Sequence, residues 1–517
     1  MTATDAFTYR PDGARARLTA ALAIVLALLL SLWVFLVNGG ATFYFDTIDY
    51  VDRGHQLLSL LGLELSPLQE TSATVSTTPT EVAPGGDTET VDGSRSMVYS
   101  LLAGVFFWLG AVDGLVVMNA ALAVGIIWLA SRLVVRDLPA APRPSSITLV
   151  AVGLASLGSL PFYVAFLMPD MLSPVLLMVA ALLATYVPKM RTWELLVITA
   201  LGCLAIMVSI SHLATGLLLL PIVFLKAIAF PGPRRWLGPA LMLVVAMAGI
   251  SEQAALRLAA KQVEDAEVVY RPFLTARLIQ DGPGMSYLTD QCPTAPEPTC
   301  ALFDALSSSD NPARFASANI IFSRSPDTGS FQRMGARDQL EVTQQQFQFF
   351  FNVLLDRPFE TSLSFAGNVL SQLTLNSVNM TLQTDEIAER GEGLLGMAWG
   401  DFGHGGLTAD TGWLAFADPA QSVLYALATL CIFGLLASRR LPAPVAIFLT
   451  MILIGIVVNA IVCGGLSQPA NRYGARVIWL LPVAAVIGGA VLAAQYRAGT
   501  TRTRFDTNEF SAPGGRS

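Results

Sequence analysis

Acidic side chains are concentrated in a short stretch that follows the first long apolar run of the chain. Asp46, Asp49 and Asp52 fall within seven residues, and His55 comes three residues later. On a helix, Asp49 and Asp52 share one face, and the apolar Ile48 and Val51 share the opposite face with His55. Such a helix lies along a membrane surface, where clustered carboxylates can accept a proton or bind a cation. Water-exposed loops also carry aspartates freely, so both interpretations stay open.

Further polar residues lie where other apolar runs end. Asp170 and His212 occupy short turns between two such runs, and Arg472 and Arg476 stand one helical turn apart beside Tyr473. Two arginines on one helix face suit a phosphate group, and a nearby carboxylate or imidazole can take a proton. The same residue types also serve as turn residues, helix-interface residues or membrane anchors. Their common placement on one side of the membrane favours a shared site.

Composition places these residues in a membrane protein. The 517 residues are 53% apolar and 13% charged, with a mean hydropathy of +0.57, whereas soluble domains carry about 25% charged residues. Apolar runs of about 18 or more residues recur, which predicts a polytopic helical protein. The net charge of −7 comes without a basic tract, so no nucleic-acid partner is expected. The first run, 18–37, is too long for a signal-peptide core.

Lysine and arginine orient the predicted spans. We expect about ten transmembrane helices, with both chain ends in the cytoplasm, because each inferred inner loop carries at least two positive residues. The predicted spans are 18–37, 114–130, 146–168, 171–187, 194–210, 213–230, 236–256, 422–436, 442–463 and 475–494. This map places the acidic stretch outside.

The same map predicts an all-α polytopic membrane protein with a mixed or mainly helical external domain. Its parts are a cytoplasmic N-terminus (1–17), the first part of the membrane domain (18–260) with external surface helices at 45–65 and 96–110, an external soluble segment (261–419), the last three spans (420–495) and a cytoplasmic tail (496–517). A loop rich in Thr, Ser, Pro and Gly, residues 66–95, separates the two surface helices. The external segment is long enough to be a domain of its own.

The five cysteines fall into two groups. Cys203, Cys431 and Cys463 lie in or at the end of spans, where cysteine usually fills space as a small apolar residue. Cys292 and Cys300 both lie in the external segment. An oxidising exterior favours a short-loop disulfide between them.

Short motifs in the membrane region carry a family resemblance. Asp46-Thr47-Ile48-Asp49-Tyr50 resembles the Asp-containing first-loop motif, ending in Tyr, of the GT-C superfamily of polytopic membrane glycosyltransferases. Arg95-Ser96-Met97-Val98-Tyr99 resembles the superfamily's Arg-Pro-Pro-x-Tyr entry to a surface helix, with Ser96 and Met97 in place of the two prolines. Asp170, Arg472-Tyr473 and Pro482 also resemble superfamily positions. The likeness covers residues 18–260 and 420–495.

The resemblance implies a polyprenyl-phosphate-linked sugar donor and an acidic catalyst. Asp46, or next Asp49, would be the general base for an acceptor hydroxyl. Arg472, Arg476 and Tyr473 would bind the donor phosphate and stabilise its developing charge. The supporting residues would be Tyr50, Arg95, Tyr99, Asp170 and His212. A divalent metal at Asp46, Asp49, Asp170 and His212 stays open, because hard cations bind clustered carboxylates, and some superfamily members need none.

The expected partners are the lipid-linked sugar, an envelope acceptor and membrane lipid. The acceptor would be a lipid, a glycan or a protein, met on the external, periplasmic face of a bacterial inner membrane. Two other functions stay open: a transporter or flippase for an envelope precursor, and a non-catalytic scaffold of envelope assembly. Ion-coupled transporters keep ionisable residues at mid-membrane, whereas Lys226 and Glu252 lie near the ends of their predicted spans.

Overall fold

The computed structural model describes residues 13–60, 62–63, 90–138, 141–263, 265–292, 297–390 and 405–509. Most of the predicted Thr/Ser/Pro/Gly-rich loop, residues 64–89, lies outside these ranges, as do residues 1–12 and 510–517. Within the described ranges the regular elements are helices, apart from two three-residue strands. The predicted all-α class is confirmed.

The first membrane region contains eleven α-helices among the described residues. They are α1 (Gly13–Ser31), α2 (Trp33–Asn38), α3 (Phe45–Leu60), α4 (Met97–Trp108), α5 (Gly114–Val135), α6 (Pro144–Ala155), α7 (Leu160–Ala165), α8 (Leu172–Thr185), α9 (Thr192–Met207), α10 (Ile210–Ala229) and α11 (Leu237–Val263). Local chemistry sets several of the starts. Ser96 caps α4 by accepting the Tyr99 N–H at 3.3 Å, and Pro144 opens α6 at a position where no N–H is needed.

A second set of short helices follows as one compact segment, here called the cap (residues 265–292 and 297–390). It comprises α12 (Phe273–Asp281), α13 (Pro283–Gln291), α14 (Thr299–Ser307), α15 (Ser317–Phe322), α16 (Ala336–Gln344), α17 (Gln346–Asp356), α18 (Pro358–Thr374) and α19 (Asp385–Arg390). Strand β1 (Thr90–Asp92), before α4, pairs in parallel with β2 (Glu267–Val269) at the start of the cap. The cap buries its own apolar core, which includes Ile279, Leu288 and Phe349.

The chain returns to the membrane region through α20 (Leu414–Ala437), α21 (Ala443–Ala460), a π-helical turn (Ile461–Gly465), α22 (Asn471–Ile478) and α23 (Leu480–Glu509). Helix α20 begins eight residues before the predicted span and before the predicted domain boundary at 420. Helix α23 continues through most of the segment that we expected to be a tail.

Seven of the described helical segments are long and apolar enough to cross a membrane, and the chain is an integral membrane protein. They are Gly13–Ser31, Gly114–Val135, Ile210–Ala229, Leu237–Gln262, Leu414–Ala437, Ala443–Gly465 and Asn471–Ala498. The third, fourth and fifth predicted spans correspond to the shorter apolar helices Pro144–Ala155, Pro169–Thr185 and Thr192–Met207. The count of ten spans stays a prediction.

Glu194 and two arginines form an ionic group at one end of the spans. The Glu194 carboxylate accepts hydrogen bonds from Arg132 at 3.0 Å, from Arg136, and from the backbone N–H of Arg191 at 2.8 Å. These residues join α5 to α9 at the end that the positive-residue pattern assigns to the cytoplasm. The acidic stretch lies at the opposite end.

Candidate active site

The two surface helices cross in close contact, and this crossing brings the acidic stretch to Arg95. A Cβ built on Gly54 of α3 would lie 2.0 Å from the Ser100 carbonyl oxygen of α4, and one on Gly104 would lie 2.6 Å from the Gly54 backbone. Only glycine fits at such a crossing. Asp46, at the start of α3, forms an ion pair with Arg95, which lies two residues before α4.

Arg95 connects the two aspartates that the sequence suggests as base candidates. Its Nη2 donates to Asp46 Oδ1 and, at 3.3 Å, to Asp49 Oδ2. Its guanidinium also lies 5.7 Å from the ring centroid of Tyr50, whose ring packs edge-on against Tyr99 at 4.9 Å. Tyr50 and Tyr99 are buried, so they support the position of Arg95.

A backbone bridge holds Asp170 near the same aspartate. Thr42 donates its N–H to the Ala165 carbonyl at 2.9 Å and accepts the Leu167 N–H at 2.8 Å. The Thr47 hydroxyl donates to the Leu167 carbonyl at 3.0 Å. These bonds join the link before α3 to the segment before Asp170, although about 120 residues separate them.

Arg472 completes the connection between Asp46 and Asp170. Its Nε lies 3.2 Å from both carboxylate oxygens of Asp170, and its Nη2 donates to Asp170 Oδ2 at 2.7 Å. Its Nη1 lies 3.3 Å from Asp46 Oδ2. The guanidinium also lies 5.1 Å from the Tyr44 ring and 5.7 Å from the Phe166 ring. Asp46 thus accepts from Arg95 on one side and from Arg472 on the other.

Arg476 lies deeper, behind Arg472. It donates to Asp170 Oδ1 at 3.3 Å and to Asn459 Oδ1 at 2.9 Å, and its Nη2 lies 3.1 Å from Cys463 Sγ. Tyr473 packs against it with 5.2 Å between guanidinium and ring centroid. The Arg476 side chain is 3% exposed, whereas those of Arg472 and Arg95 are each 11% exposed and that of Asp46 is 22% exposed. Arg95 and Arg472 therefore form the accessible edge of the cluster.

His212 lies at the start of α10 and is fully buried. Its Nδ1 lies 2.7 Å from the Ala205 carbonyl oxygen, which can only accept, so Nδ1 carries the proton in this contact. Its Nε2 is buried without a hydrogen-bond partner in the part of the chain that the structure describes. His212 makes no direct hydrogen bond to the aspartates that the sequence suggests as its metal-binding partners.

Burial and the neighbouring charges change the acid–base properties of the accessible groups. The pKa of Asp49 is raised above its ordinary value, chiefly by loss of hydration, and Arg95 opposes that rise. Burial alone would lower the pKa of Arg95, but the negative charges around it, Asp46 above all, raise it. Arg95 is therefore charged at any working pH.

Sequence reasoning missed two arginines that hold the backbone around Arg95 in place. Arg53 donates to the backbone carbonyls of Arg95 and Asp92, each at 3.0 Å. Arg271, just after β2 in the cap, donates to Asp92 Oδ2 at 2.7 Å. Tyr44 and Asn459 were also missed. Asn459 carries a detectable signal, because it is a lone amide within an apolar run.

The carboxylates of this cluster do not make a convincing cation site. Asp46 and Asp170 already face guanidinium groups, and no group of three or more His, Cys, Asp or Glu residues suited to a metal ion occurs among the described residues. Hard divalent cations need several free oxygen ligands. Asp46, Asp49, Asp170 and His212, which the sequence suggests as a possible metal-binding set, do not form such a group.

In the cap, Cys292 and Cys300 form a disulfide with their Cα atoms 5.4 Å apart. Of the other three cysteines, Cys203 is partly buried and Cys431 is exposed. Cys463, expected to be a small apolar filler, instead contacts Arg476.

No protein-family model and no curated protein matches the chain. Among solved structures, two crystal structures of ArnT from Cupriavidus metallidurans are similar to it, one in the apo state and one bound to undecaprenyl phosphate. Each is 14% identical, with TM-scores of 0.31 and 0.29, and the similarity covers 92% and 93% of this chain and 78% of each ArnT chain. Because these TM-scores are low, the functional proposal rests on the residues of this chain.

Proposed function

We propose that the chain is an integral membrane glycosyltransferase of inverting type. It would move a sugar from a polyprenyl-phosphate donor to a lipid, glycan or protein acceptor. The observation that carries this proposal is the position of the partly exposed Asp46 carboxylate between Arg95 and Arg472. A proton acceptor flanked by two phosphate-binding groups is what transfer from a sugar phosphate to a hydroxyl requires.

The charges of the cluster explain how a donor phosphate would activate this base. Three carboxylates, on Asp46, Asp49 and Asp170, face three guanidinium groups, so their formal charges cancel. A phosphate that binds Arg95 and Arg472 would compete with Asp46 for their N–H donors. Donor binding would thus release Asp46 from part of its hydrogen bonding and free its carboxylate oxygens to accept from the acceptor hydroxyl.

The reaction step balances without any further reactant. The acceptor hydroxyl oxygen attacks the anomeric carbon, and its proton passes to Asp46. The bond between the anomeric carbon and the phosphate oxygen breaks, and its electron pair leaves with the polyprenyl phosphate. Arg95 and Arg472 stabilise that developing charge. Because the polyprenyl phosphate is a leaving group of low pKa, no strong general acid is needed to protonate it. Asp49, whose side chain is 56% exposed and contacts Arg95 at 3.3 Å, is the second candidate for the base.

Two assays on the purified protein test lipid-phosphate binding and sugar transfer separately. Purified protein in lipid nanodiscs is titrated with undecaprenyl phosphate, and separate samples are incubated with undecaprenyl-phosphate-linked sugars and a membrane extract that contains acceptors. The proposal expects saturable binding and release of the lipid phosphate. Absence of binding would overturn it. Binding together with movement of the intact donor across the bilayer, without bond cleavage, would favour the transporter instead.

The side on which the site faces is a separate proposal. The positive-residue pattern places the cap outside and the loop at Arg439 and Arg440 inside. A reporter fused near Asp327 in the cap should give an external signal, and one near Arg439 an internal signal. An internal Asp327 would contradict a periplasmic site.

A further inference from the structure

Two consecutive helices of the cap expose an apolar face. On α17, Phe347, Phe351 and Leu355 follow one another at four-residue intervals and are 61%, 55% and 81% exposed. On α18, Phe359, Leu363 and Leu370 are 89%, 76% and 64% exposed. The opposite faces pack inward, where Phe349 and Val353 are buried in the cap core. These six exposed residues are called the cap apolar face.

The position of α18 indicates whether the cap apolar face contacts water or lipid. Its second half packs against the last turn of a membrane-spanning helix: a Cβ on Gly465 would lie 2.6 Å from the Phe365 ring, and one on Gly464 would lie 2.6 Å from the Gln372 side chain. Gln372 also exchanges two hydrogen bonds with the backbone of Ala470, each at 2.9 Å. This half of α18 is therefore fixed at the level where the spans end.

The residues after α18 connect it to a second span. Ser422, in α20, lies 3.1 Å from the Asn376 side chain. Beyond Ser422, the exposed residues of α20 include Val423, Leu427 and Leu430, which are 58%, 60% and 66% exposed. On a spanning helix such residues face lipid. The cap apolar face thus lies next to a lipid-facing surface and has the same exposed apolar character.

We propose that the cap apolar face rests in the interfacial layer of the bilayer, so that membrane lipid is its partner. An amphipathic helix in that layer keeps charged groups on its borders and buries aromatic and aliphatic side chains among the acyl chains. Asp356, Arg357 and Glu360 lie at the junction of α17 and α18, where Arg357 contacts both acids. These charged side chains would lie among the polar lipid headgroups. Contact with the bilayer would then fix the position of the cap, and with it the position of Arg271, relative to the candidate site.

Site-directed spin labelling tests this placement. The labelled position is Leu363→Cys in a background with Cys203→Ala and Cys431→Ala, which leaves the cap disulfide and the buried Cys463 intact. Val423→Cys on α20 provides a lipid-facing control. Arg337→Cys on α16 provides a solvent-facing control in the cap, since its side chain is 86% exposed. All three proteins are reconstituted in vesicles of phosphatidylcholine and phosphatidylglycerol.

Collision rates with oxygen and with a water-soluble nickel chelate give the outcome. We expect the label at 363 to meet oxygen far more often than the nickel chelate, as at 423, and the label at 337 to show the opposite ratio. A ratio at 363 equal to that at 337 would overturn the proposal. Line broadening at 363 that disappears on dilution with unlabelled protein would also overturn it, because a second copy would then cover the face. A label at Phe359→Cys repeats the test at the most exposed residue.

Discussion

Asp46→Asn separates the proposed catalytic role of this residue from its structural role. The substitution keeps the shape of the side chain and one accepting oxygen, but it removes the negative charge and the proton acceptor. Arg95 keeps its contact with Asp49 at 3.3 Å, and Arg472 keeps its hydrogen bonds to Asp170. Loss of one charged hydrogen-bond partner costs about 1.5–3 kcal/mol. Because both arginines retain another carboxylate, we expect the variant to fold.

The expected effect on transfer is larger than this structural cost. Loss of a general base typically lowers the rate by about 10²–10⁴-fold, which corresponds to about 2.7–5.4 kcal/mol in activation free energy. Binding of a polyprenyl phosphate should not weaken. At a separation of roughly 6 Å and an effective dielectric constant near 20, removal of the Asp46 charge relieves about 3 kcal/mol of repulsion on the phosphate. The variant should bind the lipid phosphate at least as tightly as the native protein while losing transfer.

The assay measures sugar transfer and lipid-phosphate binding on the same preparation. Asp281→Asn is the matched control, because Asp281 pairs with Arg277 and Asn368 in the cap and lies away from the cluster. It should change neither measurement. Asp49→Asn reports on the second candidate base. Full transfer activity in both Asp46→Asn and Asp49→Asn would refute the glycosyltransferase proposal and return the transporter and scaffold functions to first place.

Four further changes test the rest of the site. Arg472→Lys keeps the charge but loses the guanidinium geometry, so polyprenyl phosphate binding should weaken by about 1.5–3 kcal/mol, measured by titration; unchanged affinity would make the residue an anchor only. Gly54→Ala forces the surface helices apart and should cost about 1–3 kcal/mol of unfolding free energy together with most of the activity, whereas native values would exclude the close crossing. Burial raises the pKa of Asp92, but Arg271, Arg95 and Ser94 outweigh this and hold it below the ordinary value. The resulting stability, up to about 1 kcal/mol for a partly exposed pair, is present above about pH 4 and lost as the pH falls further; thermal melts of the native protein and of Asp92→Asn should therefore converge at low pH, and parallel pH profiles would contradict this. Asp170→Asn leaves two buried arginines short of a partner, so the free energy of unfolding should fall by roughly 3–5 kcal/mol. A native melting temperature would contradict that expectation.

The sequence reveals which residue types gather at the site, because each of them ends or follows an apolar run. Asp46, Asp170 and Arg472 stand out in this way. The pairing itself was not predictable, since Arg472 and Asp170 are 302 residues apart and meet only through the packing of several helices. Asn459 contacts Arg476 and Tyr44 contacts Arg472, and neither residue belongs to a motif. Local sequence patterns predict which polar residues lie at the site, whereas the packing of distant helices determines their hydrogen-bond partners.

The span count shows a similar limit. Hydropathy treats residues 146–168 as one continuous span, but the helix ends at Ala155 and resumes at Leu160. The interruption brings Ser159 to the backbone of Ala475 and to the Tyr425 hydroxyl, at 2.6 Å and 3.1 Å. The apolar residues within 340–375 predict a helix face but not what that face contacts, because a buried helix and a surface helix both show an apolar face. The structure resolves this by burying one face of α17 and exposing the other.

The two aspartates that share Arg472 differ in exposure and in hydrogen bonding, and this difference supports the proposal that Asp46 is the base. Asp170 is 2% exposed and receives three hydrogen bonds from Arg472 and one from Arg476, so its charge holds two buried guanidinium groups in place. A carboxylate bound that tightly is a poor proton acceptor, because protonation would leave the arginines without their counter-ion. Asp46 is 22% exposed and accepts from only one edge of each neighbouring arginine. In the proposed reaction, a bound phosphate would accept from these arginine N–H groups while Asp170 kept its own hydrogen bonds, and Asp46 would then take the proton.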